Sequence, residues 1–182
     1  MPTISTRITG KDKTLIRFLM ITIQLIVCFL LQSTVMPAIS MAGVVPDLLL
    51  ILVITVAYTR GRVGGMLTGL AAGLLTDICF NEMVGLCALF YLCIGYLAGY
   101  SHKVYEERDY LFPMLMIAVG EFLYSFAYYV AYFLLRSRTE LGYYFVHLIL
   151  PRIVYTVLAA ALLYPAFHWM HRFLVRVVDK ED

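Results

Sequence analysis

Four charged side chains interrupt the apolar stretches of this sequence: Asp47 in "VVPDLLLILV", Asp77 in "LLTDICF", Glu121 in "AVGEFLYSF" and Arg152 in "LPRIVYT". An aspartate, lysine or arginine at the centre of a membrane helix costs about 2.5–3.5 kcal/mol on insertion scales, and partnership is the usual remedy. Glu121 stands about ten residues up from the inner end of its apolar run, and Arg152 about nine residues down from the outer end of its own. The two reach a similar depth, so they are expected to pair. Glu121, Tyr124, Ser125, Tyr128 and Tyr132 recur at helical spacing and share one face. That face either satisfies one buried carboxylate in a structural network or lines a ligand or proton pathway. Asp47 and Asp77 fall near the outer ends of their runs, where each could hold a partner residue or cap and solvate a helix end.

No other constellation suggests catalysis. The sequence has no G-x-S-x-G, no H-E-x-x-H and no phosphate-binding loop. His168 and His171 are three apart near the inner end of the last apolar run and read as interfacial side chains. Cys28, Cys79, Cys87 and Cys93 lie inside apolar runs without C-x-x-C spacing, and read as small buried apolar residues. The expectation is no enzyme, no metal, no cofactor and no disulfide framework. Basic groups are short and sit at the ends of apolar runs, which leaves no nucleic-acid surface.

A second pattern concerns packing. In "RGRVGGMLTGLAAGLLTDICFNE", residues 60–82, Gly61, Gly65, Gly69 and Gly73 recur every fourth position and Asp77 takes the next step. Glycine costs about 1 kcal/mol relative to alanine inside a helix. In membranes, small residues let backbones approach closely, and three overlapping G-x-x-x-G pairs make such an approach surface. Each four-residue step drifts about 40° around the helix, so a partner following the whole row must cross at an angle. The ladder packs either within this chain or against another membrane subunit.

The elements that carry these residues follow from composition. Of 182 residues, 62% are hydrophobic and 14% charged, where soluble domains average about 25% charged. Several runs approach the roughly 20 residues that span a bilayer. This is an integral membrane protein, all-α, with six transmembrane helices in a single domain over 1–182: helix 1 over 15–36, ending at Pro37; helix 2 from Pro46 to Thr59; helix 3 over 62–79; helix 4 over 84–100; helix 5 over 111–135; helix 6 over 143–166. Residues 1–14 form a basic N-terminal segment and 168–182 an amphipathic tail. The first run is too long for a signal h-region of about 7–15 residues and reads as an uncleaved anchor. Helix 2 rises only about 21 Å, short of a hydrocarbon core of about 30 Å. It must be sheltered by neighbours or sit in thinned lipid.

Lys and Arg set the orientation. With the N-terminus inside, the inner segments hold Arg7, Lys11, Lys13, Arg17, Arg60, Arg62, Lys103, Arg108, Arg172, Arg176 and Lys180, while the outer loops hold only Arg136 and Arg138. Both termini are expected on the cytoplasmic side. Tyr164 and Trp169 at the inner end of helix 6, and Tyr143 and Tyr144 at its outer end, fit interfacial aromatic belts.

The order and spacing of these motifs resemble a known family. The stretch 44–100 has a P-D followed by leucines, a short basic turn, a glycine-rich helix ending in aspartate, and "GLCAL" opening the next helix. It resembles the core of the rod shape-determining protein MreD family. "GEFLYSFAYY" (120–129) and "LPRIVYTVLAAALLYPAF" (150–167) resemble that family's fifth and sixth helices. The "CFNEMVG" after Asp77 departs from the serine- and glycine-rich turn expected there. The resemblance implies a non-enzymatic scaffold in the bacterial inner membrane, multi-pass, within the elongation complex for lateral peptidoglycan. Its partners would be the lipid bilayer, a bitopic MreC-like protein and, through that protein, MreB filaments, a RodA-type glycosyltransferase and a class B penicillin-binding transpeptidase. The family is also similar in architecture to substrate-binding subunits of energy-coupling-factor vitamin transporters. As an alternative function, such a subunit would line its cavity with Asp47, Asp77, Glu121, Arg152 and the helix 5 tyrosines.

Overall fold

A computed structural model describes residues 10–39, 45–80, 84–104, 111–132 and 149–163. Helix α1 covers Gly10–Leu30 and continues through a π turn, Leu31–Val35, into a 3-10 turn, Met36–Ile39. Pro37 explains the change of winding. A proline ring clashes with the carbonyl four residues back in a regular α-helix. Here the helix widens before Pro37, with Met36 N–H bonding Leu31 O five residues back. The helical path therefore runs two residues past the stop expected at Pro37.

Helix α2 covers Leu48–Phe80 and contains what the sequence separates as helices 2 and 3. Its 33 residues would reach about 50 Å if straight. They do not run straight, because Gly61 has φ 80° and ψ −169°, a region open essentially to glycine alone. The "RGR" turn is thus a single residue. The two arms, 48–60 and 62–80, fold back on each other beyond it. A Cβ placed on Gly65 would lie 2.5 Å from Ala57 Cβ. Every residue from Leu48 to Tyr58 in the first arm is buried. Of the two expected remedies for the short helix 2, shelter by neighbours is the one observed.

Helix α3, Leu86–Ala98, continues as a 3-10 segment, Gly99–Val104, and runs antiparallel to the second arm of α2. The glycine ladder sets the register. A Cβ on Gly65 would meet Gly95 O at 2.4 Å, on Gly69 Tyr91 O at 2.3 Å, and on Gly73 Ala88 Cα at 2.3 Å. Gly99 answers from α3, where a Cβ would meet Arg62 Cα at 2.4 Å. Helix α4, Leu111–Tyr132, leans on the first arm of α2 and on α3 through Gly120, where a would-be Cβ lies 2.7 Å from Ile54 Cδ1 and 3.3 Å from Ile94 Cγ2. Helix α5, Leu150–Leu163, contributes Thr156 and Ala160 to the interior.

The core joins Leu25 and Cys28 of α1, the first arm of α2, Tyr91 and Ile94 of α3, Ile117 of α4 and Ala160 of α5. All described elements are helical. Among the described residues, three stretches are long and apolar enough to cross a membrane: Phe18–Ala38, Leu48–Phe80 and Leu111–Val130; Leu86–His102 and Leu150–Leu163 are apolar but shorter. Among the cysteines, Cys28 and Cys87 are buried, whereas Cys79 and Cys93 are exposed, so the reading of all four as interior residues is corrected for two; all four are free thiols. The outer loop 136–142, the tail 168–182, and Tyr143, Tyr144, Tyr164, Trp169, His168 and His171 lie outside the described residues.

Candidate functional site

The polar residues converge on the start of α2. The first turns of any helix leave backbone N–H groups without intrahelical partners, and here that end is buried: Asp47 is 1% exposed. Three backbone N–H groups there are met by side chains. Leu49 N–H donates to Gln32 Oε1 of the α1 extension at 2.9 Å. Leu50 N–H donates to Asp47 Oδ1 at 3.0 Å, which makes Asp47 the N-cap. Asp47 N–H donates to Thr156 Oγ1 of α5 at 3.2 Å.

The other Asp47 oxygen faces outward from α2. Tyr91 of α3 donates its hydroxyl to Asp47 Oδ2 in a short bond. Arg152 Nη2 of α5 lies 3.5 Å from the same oxygen. Arg152 Nε lies 2.7 Å from Glu121 Oε1 of α4, so the pair expected from depth is present. Glu121 is completely buried. Tyr124, one turn on from Glu121, packs edge-on to the Tyr91 ring at 5.1 Å. The Arg152 guanidinium carbon lies 5.3 Å from the Tyr124 ring centroid. The Tyr124 hydroxyl lies 3.3 Å from Cys87 Sγ. Tyr128 is half-buried, with its ring 6.1 Å from that of Tyr124.

Two carboxylates thus face one guanidinium in an interior where each unpaired charge would cost several kcal/mol. The Tyr91 hydroxyl and the Leu50 N–H supply the remaining hydrogen bonds to Asp47. Helices α2, α3, α4 and α5 meet at this one cluster. Among the described residues, no group of three or more His, Cys, Asp or Glu is placed to hold a metal ion.

Asp77 forms a second, separate site. Its Oδ2 accepts N–H bonds from Gly85 at 2.9 Å and Ala88 at 3.0 Å, and its Oδ1 accepts from Cys87 at 3.2 Å. One carboxylate on the second arm of α2 therefore caps the N-terminus of α3. Gly85, at φ 108°, makes the turn into that helix. Asp77 is fully buried, so it has no surface to offer a partner. At the opposite end, His102 Nδ1 lies 2.9 Å from Tyr58 O, and Arg62 stacks 3.4 Å above the Tyr100 ring. These contacts close over Gly61, with His102 Cδ2 3.3 Å from a would-be Cβ there.

A comparison with protein families places this architecture. The family described as rod shape-determining protein MreD matches residues 12–176, nearly the whole chain. The chain belongs to the MreD family. No curated protein and no solved structure matches it. As an MreD-family protein it is a membrane protein that acts in rod-shape determination. The likeness to transporter substrate-binding subunits has no solved structure to rest on.

The MreD-family motifs now have physical content. The P-D of "VVPDLLL" is a buried helix cap, and the glycine ladder with its aspartate binds α3. Sequence reasoning missed Gln32, Tyr91 and Thr156, which lie far from Asp47 in the chain and carry no motif. Nor did it pair Asp47 with Arg152: Asp47 is buried between helices, and its Oδ2 lies 3.5 Å from the guanidinium that Glu121 also faces. On α4, Tyr129 is buried at 2% while Tyr128 is only half-buried.

Proposed function

We propose that this chain is a non-enzymatic scaffold of the rod complex, with six membrane spans and both termini in the cytoplasm. It binds a bitopic MreC-type protein. Through that partner it supports a RodA-type glycosyltransferase, a class B penicillin-binding transpeptidase and MreB filaments during lateral peptidoglycan synthesis. The observation that carries this reading is the family match across residues 12–176. The geometry supports it: Asp47, Asp77, Glu121 and Arg152 are engaged in caps and ion pairs that hold helices together. In the six-span reading, the arms of α2 are two spans joined at Gly61, each running about 20–28 Å.

The test is affinity purification of the full chain from membranes in gentle detergent. A single-span MreC-type protein should co-purify, and depletion of the chain should turn rods into spheres. Purification of the chain with a tightly held vitamin and no such protein would overturn the reading.

A further inference from the structure

Polar side chains interrupt the apolar stretch Phe18–Ala38 at Thr22, Gln24, Gln32, Ser33 and Thr34. Thr22 and Ser33 return their hydroxyls to their own helix, donating to Phe18 O at 3.0 Å and Leu30 O at 3.2 Å. Gln32 accepts the Leu49 N–H. Thr34 stands one turn from the end of the stretch, within reach of the interface. Gln24 is different. Among the described residues nothing bonds its amide, although it lies about 9 Å in from Phe18 and about 21 Å from Ala38. Acyl chains carry no hydrogen-bonding group, so lipid leaves that amide unmet.

The residues beside Gln24 form a seam. Helix α1 meets the core through Ile21, Leu25, Cys28 and Phe29. Gln24 stands about a quarter-turn from that face, in line with Met20, Val27 and Leu31. Val27 and Leu31 are 48% and 37% exposed, and Met20 and Gln24 are half-buried. Of the three long apolar stretches, the one in α1 is the least enclosed. The positions 20, 24, 27 and 31 alternate steps of four and three. That is the a/d seam of a left-handed helix pair, with Gln24 and Leu31 at a and Met20 and Val27 at d. A single polar residue at an a position fixes register and oligomeric state in such seams.

We propose that the seam of Met20, Gln24, Val27 and Leu31 pairs with the same seam of a second copy of this chain, with the two Gln24 amides hydrogen-bonded to each other. A carboxamide carries both donors and an acceptor, so it complements its own copy. Copies oriented by the same distribution of Lys and Arg point the same way. A two-fold axis between them then lies along the membrane normal and brings identical residues together at identical depth. Another partner would need its own polar group at that level, whereas a second copy supplies one by construction. Hydrogen bonds between helices through Gln recur in membrane proteins.

A photoreactive residue at position 27 in the otherwise unchanged chain tests the contact in cells that carry two differently tagged copies. The expected adduct joins the two tags, whereas the same probe at Ile26, 48% exposed on the far side of α1 from Gln24, marks lipid. Energy transfer between dye-labelled copies of the purified full chain, diluted in detergent micelles, then reads the dimer with no MreC-type protein present. Gln24→Leu suits an exposed flank and should accumulate normally, with a dissociation constant raised about tenfold. Gln24→Asn keeps the amide and should raise it far less. Adducts at position 27 with lipid or foreign proteins alone, an unchanged chain that stays monomeric in micelles, or equal dissociation constants for Gln24→Leu and the unchanged chain would each overturn the proposal. Should Gln24→Leu fail to accumulate, the probe at position 27 decides alone.

Discussion

Arg152 is the cation that two buried carboxylates share, so its removal and theirs are not equivalent. Arg152→Met leaves both Asp47 and Glu121 without a cation, whereas Glu121→Gln leaves Arg152 still beside Asp47. Breaking a buried pair typically costs about 3–5 kcal/mol. Accumulation in membranes, measured by immunoblot, should therefore fall more for Arg152→Met than for Glu121→Gln. The charge swap Glu121→Arg/Arg152→Glu should restore accumulation only partly, because a carboxylate at 152 then faces Asp47. Asp77 makes a cleaner case, since it accepts three N–H bonds at the start of α3. Asp77→Ala leaves those donors unmet in the interior, at about 1–3 kcal/mol for each buried unsatisfied group. Asp77→Asn keeps one acceptor oxygen and should retain more protein than Asp77→Ala. The depth match of Glu121 and Arg152 was legible because each stands about halfway along an apolar run. The role of Asp47 was not, because an acid at the first turn of a run looks the same whether that turn lies at the surface or below it.

At the level of elements, the second arm of α2 and α3 form one backbone-to-backbone unit. Gly69→Leu places a side chain where even a Cβ would lie 2.3 Å from Tyr91 O. The protein should no longer accumulate, while Ala71→Leu, on the exposed face of the same arm, should leave its level unchanged. Gly61→Ala should be milder, about 1–3 kcal/mol for a strained backbone, read as a lower melting temperature in detergent. Helix order, the antiparallel reversal near Arg60 and Arg62, and the close approach at the glycine ladder could be read from periodicity and spacing. The identity of the ladder's occupant could not. A G-x-x-x-G row reports that something lies close, and the matching Gly95 and Gly99 sit in a different run. On α4, extrapolating the tyrosine face forward from Glu121 favoured Tyr128, although Tyr129 is the one turned fully inward. Small differences in helix rotation accumulate over two turns and cannot be read from side-chain types alone.

For the whole molecule, the six-span reading puts the end of α2 at the outer surface, with Cys79 exposed there and Cys28 and Cys87 enclosed. In spheroplasts, a membrane-impermeant maleimide should label one site per chain, and Cys79→Ser should abolish it. Cys93, exposed midway along α3, should react only with lipid-soluble reagents. The distances along the chain inside the polar cluster also set an order of birth. Asp47 and Arg152 are separated by 105 residues, about 5–20 s of translation at 5–20 residues per second. The α2 hairpin and α3 can close on each other while the ribosome is still working, since the glycine ladder and the Asp77 cap that join them use only residues already made. Asp47 and Glu121 then wait in the membrane for the last helix to deliver their cation. A nascent chain halted before Arg152 carries two unanswered acids, a chemical mark that separates unfinished copies from finished ones.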